Sequence, residues 1–416
     1  MASLFGSLRR RAVLALTLAM LGLAASTGSA GAAGIQWLQS GFNAAHTGVN
    51  PKEVSLDLTT VPKLAELCHY DAAAGVSTPA VVTNGVVFVA SDDGALAAFT
   101  EATCDPLWSK MVSGGSPVVG SPIVSGGLVF ASTADGNMTA VKASSGKQAW
   151  QKSAGDQADE APVFAGGVLY DTAGIQDDSV FAFDAKTGSS PWSVKESGDL
   201  TAPTVGIPVD NAKTMIFAGS SDGSLHAYYV DGSPAWTAPA FTAPIAAAPT
   251  LDAKRSAVVA VSDDEGVGAK NYIASFDAAT GALKWKRALP APSTGTPIIV
   301  GSQYVVGAGT EIVDVSVKTG KLQWDATMPV TVNATLVAAN GVLYGSSDAG
   351  FQCDAFALDA TNGTEIWDAS DTTAFGPTKA TPIVIDGGVV VGFASGAAVI
   401  FDPPAPIRPL LRRVMR

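Results

Sequence analysis

Histidine and cysteine are scarce, three of each in 416 residues. The histidines fall at 46, 69 and 226, with no local spacing for a zinc site. No Cys-x-x-Cys-His run is present, which excludes covalent haem attachment. No Gly-x-Ser-x-Gly elbow, phosphate-binding glycine loop or His-Glu-x-x-His occurs either. Charge is also thin, at 15% of residues against 47% hydrophobic, the reverse of a disordered chain. Beyond the N-terminus no continuous apolar stretch approaches the length that spans a bilayer. What is plentiful is glycine, 44 residues, and proline, 24, which favours a turn-rich β fold over helices.

Residues 1–32 read as a processing signal. Arg9, Arg10 and Arg11 form a positive start, and Ala12 to Ala25 an apolar run of 14 residues. Ala30-Gly31-Ala32 then places small residues where a signal peptidase cuts. The competing reading is an uncleaved anchor, for which the run is short. Export into the periplasm or beyond is the expectation. Without the three arginines, 22 basic side chains face 37 acidic ones. Four of the 22 (Arg408, Arg412, Arg413, Arg416) sit in residues 405–416, a proline-rich basic tail expected to be disordered. The body between, residues 33–404, is strongly acidic and should repel phosphate backbones, so nucleic acid is a poor partner.

A repeat organises that body. Trp108, Trp150, Trp192, Trp236, Trp285, Trp324 and Trp367 are separated by 42, 42, 44, 49, 39 and 43 residues. A period of about 43 suits a four-stranded propeller blade. Each unit opens with a small residue and proline, as at Thr78-Pro79, Ser121-Pro122 and Ala202-Pro203. Proline lacks a donor and fits the beginning of a strand. A glycine turn follows, such as Asn84-Gly85, then a β-rich run, then an Asp-Gly turn. The third turn reads Ala182-Phe183-Asp184-Ala185-Lys186-Thr187-Gly188 before Trp192, and recurs with small changes at Asp277-Gly281 and Asp359-Gly363. Its aspartate can bond backbone donors two residues on, and its glycine takes the left-handed position.

This small-x-Asp-x-x-Thr-Gly-x-x-x-Trp pattern resembles the tryptophan-docking motif of quinoprotein-type (pyrroloquinoline-quinone-like) β-propellers. Residues Trp37 to Pro51 are similar to the opening segment of that superfamily. The resemblance covers residues 35–404. It implies an all-β, eight-bladed propeller with structural tryptophans at the seven positions above. The last unit, Ala380 to Phe401, shows three strands, so a strand near Leu64–Tyr70 is expected to complete it and close the ring.

The family includes both quinone-dependent dehydrogenases and cofactor-free scaffolds, and the two imply different sites. A dehydrogenase would bind pyrroloquinoline quinone, a tricarboxylate, which needs cations, with calcium and a carboxylate base. The body has two arginines, Arg255 in a turn and Arg287 on an outer strand, neither axial by position. Adjacent cysteines, common in family dehydrogenases, are absent. Residues two before each proline should ring the axis. That ring is mostly small and neutral; the polar exceptions in or beside it are Asp159, Glu160, Asn333 (the counterpart in blade seven, where Thr335 replaces proline) and Lys379, and they are the candidate ligand-binding residues. The expectation is a non-catalytic scaffold with no cofactor and no bound metal, engaging a protein or glycan. The alternative is a quinone- and calcium-dependent dehydrogenase of alcohols or sugars using Glu160 and Asn333. Cys68, on the closing strand, and Cys104, in the first blade, would be neighbours, so a disulfide between them is one reading. Three reduced thiols, including Cys353, is the other.

Overall fold

The computed structural model describes residues 36–155, 161–173, 178–196, 198–332, 335–347, 354–369, 375–378 and 380–404. Among them are eight antiparallel sheets of four strands, and no α-helix. Seven sheets take four consecutive strands each, forming blades 1 to 7 in chain order. The eighth combines Ile383–Ile385, Gly388–Gly392 and Ala397–Asp402 with the N-terminal strand Ala65–Asp71. That strand pairs antiparallel with Ala397–Asp402, so the chain is an eight-bladed propeller closed by its own beginning.

The local chemistry explains the blade. Pro79 and Pro203 stand just outside the innermost strands Val81–Thr83 and Thr204–Gly206. Blade 2 differs: Pro122 lies inside a longer strand, Val118–Ser125, where the register shifts between Val119 and Ile123. A bulge is one of the few places a strand tolerates proline. Asn84 and Gly85 both have positive φ, 52° and 74°, as the tight hairpin requires. In the third turn of blade 3, Asp184 Oδ1 accepts from the Thr187 amide at 2.8 Å and its hydroxyl at 2.7 Å. Those two bonds, the hydroxyl first, hold the Asp184 carboxyl below the usual carboxylate range.

The tryptophans join blades rather than filling one. Each of Trp108, Trp150, Trp192, Trp236, Trp285 and Trp324 lies over a turn glycine of the following blade: Gly146, Gly188, Gly232, Gly281, Gly320 and Gly363. Five of these six donate their indole N–H to a carbonyl there, and Trp367 donates to Leu64, all at 2.8–3.2 Å. Trp324 is the exception. Its N–H reaches no carbonyl of the next blade. Opposite it in the sheet stands Asp314, where other blades carry alanine or serine. Asp314 is fully buried, with the Trp324 indole beside its carboxyl. Burial pushes its pKa up to about 7, with the nearby indole of Trp324 acting in the opposite sense.

The joint between blades 8 and 1 has a different fastener. Cys68 pairs with Ile400 beside a register shift, the place Trp108 holds in blade 1. Cys104 has φ 56° and stands where other blades have the turn glycine. The two are joined by a disulfide with Cα atoms 5.8 Å apart. A covalent bond thus occupies the station of a tryptophan resting on glycine.

Candidate functional site: the central channel

Ligands of propellers meet the axis or the loops over one face, and the axial wall here is made by the innermost strands. Their free edges should be unsatisfied, but the chain fills them itself. Residues 37–50 run past all eight blades in order. Trp37 exchanges two backbone bonds with Val82 of blade 1, and Leu38 accepts from Val124 of blade 2. The Gln39 side chain pairs with both polar groups of Phe164 in blade 3. Ala44, Ala45 and Thr47 accept from Val205, Leu251 and Ile299 of blades 4, 5 and 6. Gly48 and Asn50 bracket Ala338 of blade 7, and Asn50 Nδ2 donates to Val384 of blade 8 at 2.8 Å. In seven blades the partner is the middle residue of a three-residue strand; in blade 2 it lies among the last three.

Local turns make this path. Asn43 Oδ1 accepts the Ala45 amide, and Asn43 Nδ2 donates to the Thr47 hydroxyl at 2.6 Å. Gly41, Phe42, His46 and Gly48 all have positive φ. His46 is buried, and its Nε2 donates to the Pro203 carbonyl at 3.1 Å. Burial lowers its pKa to about 4, so the ring is neutral at physiological pH. Past Asn50, the buried Glu53 accepts from Leu56 at 2.8 Å, from Ser55, and from Gly387 of blade 8 at 2.7 Å. Asn340 of blade 7 donates to Leu56 at 3.1 Å. The chain then leaves for the rim as the closing strand.

Small residues mark the described starts of the inner strands. Ala161, Ala202 and Ala248 pack together. Ser121, Thr204 and Thr250 donate to the carbonyls of Pro79, Pro249 and Pro297 in neighbouring blades. Asp159, Glu160, Asn333 and Lys379 lie outside the described residues, as does Cys353.

Both described arginines and Lys286 are engaged by the blades themselves. Arg255 binds Asp252 at 2.6 Å and the Gly301 carbonyl at 3.1 Å. Arg287 lies on the outer strand Leu283–Leu289 and reaches the Gly320 carbonyl. Lys286 sits over the rings of Phe241 and Tyr272. Among the described residues no group of three or more His, Cys, Asp and Glu could hold a metal.

A family profile described as outer membrane protein assembly factor BamB matches residues 53–173, 136–267, 176–327 and 269–405. The chain belongs to this family of PQQ-like repeat propellers. Solved structures agree on the fold. Quinohemoprotein alcohol dehydrogenase from Comamonas testosteroni superposes with a TM-score of 0.70 at 13% identity, covering 88% of this chain and 80% of that one. BamB from Moraxella catarrhalis gives 0.64 at 16%, covering 82% and 97%. A europium-containing methanol dehydrogenase gives 0.68 at 12%, covering 88% and 98%. No curated protein matches the chain. At these identities the likeness shows the fold alone, and the family spans both kinds of site. What the sequence did not reveal was the inner path of residues 37–50. The resemblance marks Trp37 to Pro51 as an opening segment without giving its course, and the local signal is a cluster of turn formers, Gly41, Asn43 and Gly48.

Proposed function

We propose that this chain is an exported, non-catalytic propeller that binds a protein or glycan, as a scaffold in the cell envelope or outside the cell. The observation that carries this reading is the inner edge of the channel. Residues 37–50 occupy it with a hydrogen bond to every blade. Binding then falls to loops on the faces. Export is supported by the basic start and apolar run of residues 9–25. It is also supported by the Cys68–Cys104 disulfide, which persists in oxidising compartments. The family profile's description, an outer membrane assembly factor, points the same way.

The dehydrogenase reading has its own support in the two dehydrogenases whose structures superpose on this one. Its axial residues would be Glu160 and Asn333. Titration of the chain lacking residues 1–32 with pyrroloquinoline quinone, with and without calcium, separates the two. Absence of heat and of thermal stabilisation is the expected result. Calcium-dependent binding at about one site, lost in Glu160→Ala, would overturn the scaffold reading. Crosslinking on intact cells would then name the partner.

A further inference from the structure

The tryptophan-on-glycine joint recurs around the ring, and one joint replaces both of its residues with cysteine. We propose that the fastening of the closing strand is redox-conditional: Ala65–Asp71 is locked against blade 1 only after Cys68 and Cys104 are oxidised. At the other joints a broad indole covers the neighbouring turn and donates a hydrogen bond to it. A thiol at position 68 has neither the surface nor that donor. Without the bond, Tyr70 carries the strand's side-chain contact to blade 1: it stacks on Phe99, centroids 4.9 Å apart, and meets the Ser109 side chain. The strand is otherwise exposed along most of its length. It is also the strand on which Ala397–Asp402 must find its register, so its anchoring decides whether the ring shuts.

The chemistry is ordinary thiol–disulfide exchange. The two protein thiols give two electrons and two protons to a disulfide oxidant, which leaves as two thiols while the Sγ–Sγ bond forms. Cys68 is only partly buried and Cys104 nearly fully, so attack from solvent falls on the Cys68 side. In a reducing compartment the chain would carry an unfastened closing strand, and it would lock on reaching an oxidising one. This inference does not depend on the scaffold reading.

The test uses the full chain with Cys353→Ser, so that these two thiols are the only cysteines. Amide exchange is followed in oxidised protein and after reduction by a small dithiol. Reduction should speed exchange in Ala65–Asp71 and Ala397–Asp402 by about tenfold or more, with strands of blades 3 to 5 unchanged. The variant Cys68→Trp with Cys104→Gly restores the fastener used elsewhere, and its exchange should ignore the reductant. Equal exchange in both strands with and without reductant would overturn the proposal. So would a Trp–Gly variant whose closing strand exchanges as fast as the reduced protein. If Cys68→Ser with Cys104→Ser fails to fold, the reduced native chain still decides.

Discussion

His46 and Asp314 are buried ionisable residues whose environments push in opposite directions. For His46 the folded value, about 4, lies below the ordinary 6.5. The unfolded chain therefore takes up a proton first as pH falls, and stability is lost between about pH 6.5 and 4. For Asp314 the folded value, about 7, lies above the ordinary 3.8. Its contribution is intact below about pH 4 and is lost as pH rises to about 7. Each shift is worth about 3–4 kcal/mol at most. The two slopes nearly cancel, so the native chain should show little net pH dependence from this pair. His46→Asn, which keeps a side-chain donor and tolerates positive φ, should unmask the Asp314 slope. Asp314→Ala should do the opposite, adding about 2–4 kcal/mol at pH 8 and little at pH 4. Urea unfolding of both variants across pH 4 to 8 checks this. The same slope in both would refute the assignment. The position of Asp314 was legible as a break in the small-residue pattern, but its burial was not. Nothing local in Val313-Asp314-Val315 distinguishes a solvated face from an inter-blade one.

At the level of the element, the blade was almost wholly legible. Its signals are local: proline before the strand, positive-φ pairs in the hairpin, an aspartate capping the third turn. The tryptophan joints can be tested through the glycines they cover. A Cβ at Gly188 would lie 2.6 Å from Trp150 Cε3, at φ 69°. A Cβ at Gly127 would meet nothing within 4 Å, at φ 77°. Gly127→Ala should cost about 1 kcal/mol from backbone strain alone, and Gly188→Ala about 2–4 kcal/mol from strain and displacement of the indole. Thermal unfolding reads the difference. Equal losses would mean the indole does not bear on that glycine. The inner path of residues 37–50 was illegible for a physical reason. Its bonds are mostly backbone to backbone, and Asn50 reaches a partner 334 residues away. Such contacts leave no periodic trace in side-chain chemistry. Asn50, which like Gln39 ties a blade through its side chain, is worth removing. It is fully buried, donates to Val384, and accepts from the Lys52 amide at 3.1 Å. Asn50→Ala should cost about 1–3 kcal/mol, with exchange accelerating first in Ile383–Ile385 and Gly388–Gly392. Acceleration spread evenly over all blades would argue against a local tie.

For the molecule as a whole, the ring closes at three radii. Near the axis Asn50 meets blade 8, between axis and rim Glu53 and Asn340 hold blades 7 and 8 together, and at the rim Trp367 and the disulfide secure the closing strand. The largest core cluster accordingly spans blades 7, 8 and 1. Ring closure was legible because the last repeat visibly lacked a strand and an orphan preceded the first. Which face binds a partner was not, since exposed loops obey no packing rule that leaves a sequence pattern.

The path of residues 37–50 also bears on how such a ring keeps its size. The segment precedes every blade in the chain and greets them in the order in which they are made, one after another. A ring with a blade duplicated or lost would leave it short of a partner or with a bond to spare. The innermost stretch of this protein is a tally stick, and it counts to eight.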